Sequence, residues 1–99
     1  MKTQTDFSTK DQQDTDVLEY TGESFNLVVW NDEVNTFDWV IKTLMDVCKH
    51  EPEQAEQCTL IIHFKGKCIV KEGDYEEMNT MCDGITDRGI GATVEEMAH

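Results

Sequence analysis

The hydrophobic positions of this chain follow a two-residue period at first and a helical period soon after. Phe25, Leu27 and Val29 alternate with Asn26, Val28 and Trp30, the repeat of a pleated ribbon, which predicts a strand over 24–30. Four polar or turn-forming residues follow. Phe37, Val40, Ile41, Leu44, Val47 and Cys48 then recur at helical spacing, which predicts a helix over 35–49. Asn35 is positioned to cap it, with Asp38 three residues on in the capping-box position. Pro52 opens another stretch at the first-turn position of a helix, where its missing N–H costs nothing. Asp74 and Glu77 form a further capping-box pattern ahead of Tyr75, Met78, Cys82 and Ile85, an amphipathic third helix. Gly89 leads into a last strand over 90–95.

Residues 58–70 read two ways. By propensity, Cys58 to Phe64, a Lys65-Gly66 turn and Lys67 to Val70 make a β-hairpin. Read as a helix, the same stretch brings Thr59, Ile62 and His63 onto one face, at i, i+3 and i+4.

Length and composition narrow the function. The 99 residues allow one small domain with a modest core. Residues 1–23 are rich in Thr, Gln, Ser, Asp and Glu and poor in large apolar side chains, so they read as a flexible acidic N-terminal extension before a core domain over 24–99. The formal charge is −13 and the pI about 4.3. Eight scattered Lys and Arg make no basic face for nucleic acid, and the net charge disfavours an anionic membrane surface. No apolar run approaches the roughly 20 residues of a membrane helix, and the first 20 residues lack the apolar centre of a signal peptide, so a cytoplasmic location is expected. Cys48, Cys58, Cys68 and Cys82 make no C-x-x-C pair and are expected as free thiols.

The loop between the first strand and first helix carries the candidate chemistry. Asn31, Asp32, Glu33 and Asn35 offer acceptors and no cation. Their natural ligand is a cationic donor such as a peptide's α-amino group, which is protonated below about pH 8. The same residue types also serve as ordinary turn formers. Cys48, His50, Cys58 and His63 stand at spacings that fit no zinc template. Cys58 and His63, five apart, do not face each other on a helix as a nucleophile and base would. No G-x-x-x-x-G-K-[ST] motif occurs. Neither metal, cofactor nor enzymatic activity is expected.

The order of Val29-Trp30-Asn31-Asp32-Glu33, Ile62-His63-Phe64-Lys65-Gly66-Lys67 and a closing Ala92-Thr93-Val94-Glu95 resembles the ClpS family, the adaptors that hand N-degron substrates to AAA+ Clp proteases. The resemblance implies a β-α-α-β-α-β order, an α+β sandwich with a three-stranded antiparallel sheet and three helices on one side. It implies that the ambiguous stretch is helical from Pro52 to about Lys65, that Gly66 ends that helix, and that the second strand covers 67–71. It further implies that Asn31, Asp32 and His63 hold a substrate's α-amino group. Asn35, Phe37, Val40, Thr59, Ile62 and Ile90 would line the pocket for its first side chain. The partners it implies are the N-terminal domain of a ClpA- or ClpC-like unfoldase, engaged by the N-terminal extension, and proteins beginning with Phe, Leu, Tyr or Trp. Thr59 stands where the family usually keeps a bulkier residue, so Ile- and Val-started peptides are expected to enter as well. An interaction module like the C-terminal domain of ribosomal stalk proteins is the rival reading of the same fold.

Overall fold

In the computed structural model, which describes residues 24–97, the element order is β1 (Phe25–Trp30), α1 (Phe37–Cys48), α2 (Pro52–Lys65), β2 (Lys67–Gly73), α3 (Tyr75–Thr86) and β3 (Ala92–Glu96). The expectations for residues 1–23 lie outside the described residues. β1 is the central strand of a three-stranded sheet and pairs antiparallel with β2 on one side and β3 on the other. Leu27 and Val29 are fully buried and meet Leu44 and Cys48 from α1, Ala55 and Ile62 from α2, and Met78 and Ile85 from α3 in one core. The fold is thus α+β, with its three described helices on one face of the sheet.

The disputed stretch is helical. α2 runs from Pro52 in its first turn to Lys65, and Gly66 ends it at φ +95°, its N–H donating to Ile62 O at 2.9 Å. Glycine reaches that left-handed conformation without a Cβ penalty. α3 starts as its pattern predicts, with the Asp74 carboxylate accepting from the Glu77 N–H at 2.8 Å.

Among the boundaries that differ from the sequence reading, three have a visible cause. α1 is capped by Thr36 rather than Asn35: Thr36 is extended, and its hydroxyl oxygen accepts from the Trp39 N–H at 3.1 Å. Asn35 is engaged elsewhere. β2 continues two residues past 71, because Glu72 and Gly73 still pair with Asn26 and Phe25. β3 begins at Ala92 and not at 90, because Ile90 belongs to the turn closing α3, its N–H donating to Ile85 O at 3.4 Å.

One irregularity in the sheet has a partner. The register slips between Leu27 and Val28, leaving Val70 of β2 without a Cα partner, as in a β-bulge. The freed Val70 carbonyl accepts a hydrogen bond from His50 Nε2 at 2.8 Å, so a buried acceptor is satisfied from the α1–α2 connection.

Candidate functional site

The loop between β1 and α1 is tied down where it leaves β1 by two backbone bonds. Trp30 N–H donates to Gly91 O and Asn31 N–H to Gly66 O, each at 2.9 Å. The first holds the loop to the approach to β3, the second to the residue that ends α2. Just after them, Asp32 organises the turn. Its Oδ1 accepts from the Val34 and Asn35 N–H groups, both at 2.8 Å, and its Oδ2 accepts from Asn35 Nδ2 at 2.7 Å. These bonds, the Asn35 N–H first and the Asn35 side chain next, hold the Asp32 carboxyl below its ordinary range, since donors stabilise the charged form. The Asn35 amide also donates to Gly89 O at 2.9 Å, and Trp39 Nε1 donates to Arg88 O at 3.0 Å. Loop and first helical turn are thereby fastened to the turn after α3.

A pocket of about 360 Å³ opens where this loop meets α1 and α2. Asn31, Asp32, Asn35, Phe37, Val40, Thr59, Ile62 and His63, read from the sequence as site residues, all line it. Ile90 is not among its lining residues and is 2% exposed in the core. Glu33, read from the sequence as part of the acceptor loop, lines the pocket too, and so does Thr36, to which the sequence reading gave no site role. Thr36 was hidden because two good capping residues stand side by side.

The walls have distinct chemistries. Val40 and Ile62 are buried and supply an apolar surface, with the half-exposed Phe37 ring beside them. Thr59 is 3% exposed, and its hydroxyl donates to Ala55 O at 2.7 Å, which leaves its small side chain part of a fixed wall rather than a mobile lip. On the loop side stand the amide of Asn31 and the carboxylates of Asp32 and Glu33. His63 completes the ring, with the Phe64 ring edge-on to it at 5.0 Å. A carboxylate pair beside an apolar hole accepts a cation with an apolar group attached.

The arrangement does not suit nucleophilic chemistry. None of the cysteines lines the pocket. Burial pushes the Cys48 thiol up to about 11 and that of Cys68 to about 12, and raises those of Cys58 and Cys82 as well. All four are therefore thiols at neutral pH, whereas a nucleophile needs the thiolate. Among the described residues no group of three or more His, Cys, Asp and Glu could hold a metal ion, and no helix is long and apolar enough to cross a membrane.

Comparison with known proteins bears on the same region. A profile of the family described as ATP-dependent Clp protease adaptor protein ClpS matches residues 21–93. The adapter protein ClpS of Mycobacterium tuberculosis is 24% identical over 85 residues, covering 86% of this chain and 84% of that protein. The E3 ubiquitin-protein ligase UBR1 of Drosophila melanogaster is 35% identical over 69 residues, 70% of this chain. The chain spans only 4% of the length of that ligase. Among solved structures, Agrobacterium tumefaciens ClpS2 bound to L-phenylalaninamide superposes with a TM-score of 0.73 at 17% identity, over 76% of this chain and 98% of that one.

Proposed function

The chain belongs to the ClpS family of ATP-dependent Clp protease adaptors, and we propose that it recognises the free N-terminus of proteins whose first side chain is bulky and apolar. It then passes them to a AAA+ unfoldase. The family is one of adaptors and not of enzymes, so the pocket binds without reacting. The observation that carries the reading is the single pocket in which Asn31, Asp32, Glu33 and His63 stand beside the apolar Phe37, Val40 and Ile62. An ammonium group is drawn to the acceptors, and the side chain on the next carbon enters the apolar part. At about 360 Å³ the space is near the lower end of ligand pockets, roughly 300–1,000 Å³, which suits one residue rather than a long segment.

Two further points support this assignment. The ligand of the Agrobacterium ClpS2 structure, L-phenylalaninamide, has the same two features, a free amine and an aromatic side chain. The net charge of −13 suits a ligand that brings positive charge. The proposed substrates begin with Phe, Leu, Tyr or Trp, and the proposed partner is the N-terminal domain of a ClpA- or ClpC-like unfoldase.

The test is calorimetric binding of a Phe-started peptide with and without N-terminal acetylation. Acetylation removes the positive charge and adds bulk at the amine, and is expected to weaken binding at least about tenfold, or about 1.4 kcal/mol. Binding of both peptides within a factor of about two would exclude amine recognition. Delivery is tested separately, by degradation of a Phe-started reporter by an unfoldase–protease pair with and without this protein.

A further inference from the structure

We propose that Asn35 is a positioning residue for amine recognition, fixing the Asp32 carboxylate at the pocket and anchoring it to the turn after α3. The inference rests on the amine-binding reading above and assigns Asn35 a role other than that of pocket wall. The geometry is specific. The two protons of the Asn35 amide go to Asp32 Oδ2 at 2.7 Å and to Gly89 O at 2.9 Å, while its backbone N–H goes to Asp32 Oδ1 at 2.8 Å. Both side-chain neighbours are acceptors, so the amide nitrogen must face them, and the orientation of the amide follows from chemistry.

Two consequences follow for the carboxylate. Asp32 cannot rotate about its Cβ–Cγ bond without breaking bonds at both oxygens. Gly89 is 54 residues away in sequence and borders Ile90 of the core, so the loop takes its position from the packed body of the domain. A preorganised acceptor binds a cation without first paying to order itself. Asn35 also contributes to keeping the Asp32 carboxyl below its ordinary range. The other ionisable groups around it are Glu33 on the same loop, His63 on α2, Asp38 in the first turn of α1, and Asp87 and Arg88 beside Gly89. The Arg88 guanidinium is itself held by Asp46 at 3.0 Å.

The experiment compares wild type with Asn35→Ala, Asn35→Ser and Asn35→Asp. Each is measured for binding of free-amine and acetylated Phe-started peptides, and for the NMR titration of the Asp32 carboxyl carbon in the unliganded protein. Asn35→Ala is expected to lose about tenfold in affinity for the free amine, to lose clearly less for the acetylated peptide, and to move the Asp32 titration upward. Asn35→Ser keeps one donor and falls between. Asn35→Asp sets a second anion beside the first, and moves the titration furthest. Equal losses for both peptides, or an unmoved Asp32 titration, would overturn the positioning role, as would a free-amine affinity in Asn35→Ala within twofold of wild type. If wild type itself ignores acetylation, amine recognition falls and the positioning role with it. That outcome is told apart from the others because wild type alone reveals it.

Discussion

The rings of Phe37 and His63 meet nearly at right angles, 80° between planes, with centroids 6.3 Å apart. Phe37 is the first residue of α1 and His63 lies near the end of α2, so one edge-to-face contact joins the two helices that wall the pocket. Phe37 remains 38% exposed. Its ring therefore contributes more to the pocket's apolar surface than to the core. Phe37→Ala is expected to weaken a Phe-started peptide by about tenfold, while thermal unfolding moves by less than that of a core deletion. Calorimetry and a melting curve on the same sample check both parts.

Thr59 sits in the opposite wall, its hydroxyl engaged with Ala55 O. A longer, unbranched side chain there projects into the pocket. Thr59→Met is expected to reduce binding of Ile- and Val-started peptides more than of Leu-started ones, since a side chain branched at the β-carbon is widest where the wall moves in. One methylene of misfit is worth about 1–3 kcal/mol, a difference that competition binding resolves. Equal losses for all three peptides, or no Ile or Val binding by wild type, would remove Thr59 as a specificity determinant.

The Thr36 cap provides a prediction about stability. Its oxygen satisfies one of the first N–H groups of α1, which otherwise have no partner in the helix. Thr36→Ala is expected to cost about 1 kcal/mol, lowering the melting temperature of a domain this size by about 4–8 °C. Thr36→Ser, which keeps the acceptor, is expected to recover most of the loss.

Acid sensitivity follows from His50. The side chain is 5% exposed, donates from Nε2 to the bulge carbonyl of Val70, and has no partner for Nδ1. Burial holds its pKa below the usual 6.5. The unfolded chain therefore takes up the proton first, and over the window from about pH 6.5 down to the folded value it binds more protons than the native state. Stability rises with pH through this window and is lost on acidification, by at most about 1.4 kcal/mol per pH unit. His50→Gln, which keeps a donor for Val70 O but does not titrate, is expected to flatten the dependence below about pH 6.5. Denaturant unfolding at a series of pH values measures it.

Much of this protein is set by short stretches of chain. The two-residue alternation around Leu27 and Val29 dictates a strand whose buried face meets the core, and the helical spacing from Val40 to Cys48 dictates the apolar side of α1. The Asp74 cap, the first-turn position of Pro52 and the left-handed turn at Gly66 are likewise local, because each depends on one residue's own backbone or side-chain chemistry. The acceptor-rich loop from Asn31 to Asn35 could be read as a site for a cation for the same reason. Tertiary structure decided the rest. Residues 58–65 carry apolar side chains on more than one face, Ile62 buried at 3% but Ile61 at 39% and Phe64 at 76% exposure, so no helical stripe stands out and local propensity favours a hairpin. Packing of Ala55, Thr59 and Ile62 against the rest of the domain makes the stretch a helix. The choice of Thr36 over Asn35 as the cap was equally invisible, since both are good capping residues. It is settled by the Gly89 carbonyl, 54 residues from Asn35, which takes the amide that would otherwise compete. Ile90, which the resemblance assigns to the pocket wall, is not among the residues lining the pocket and is buried in the core, where the turn closing α3 places it before β3 begins. In each case the deciding partner is remote in sequence, and only the folded chain brings it near.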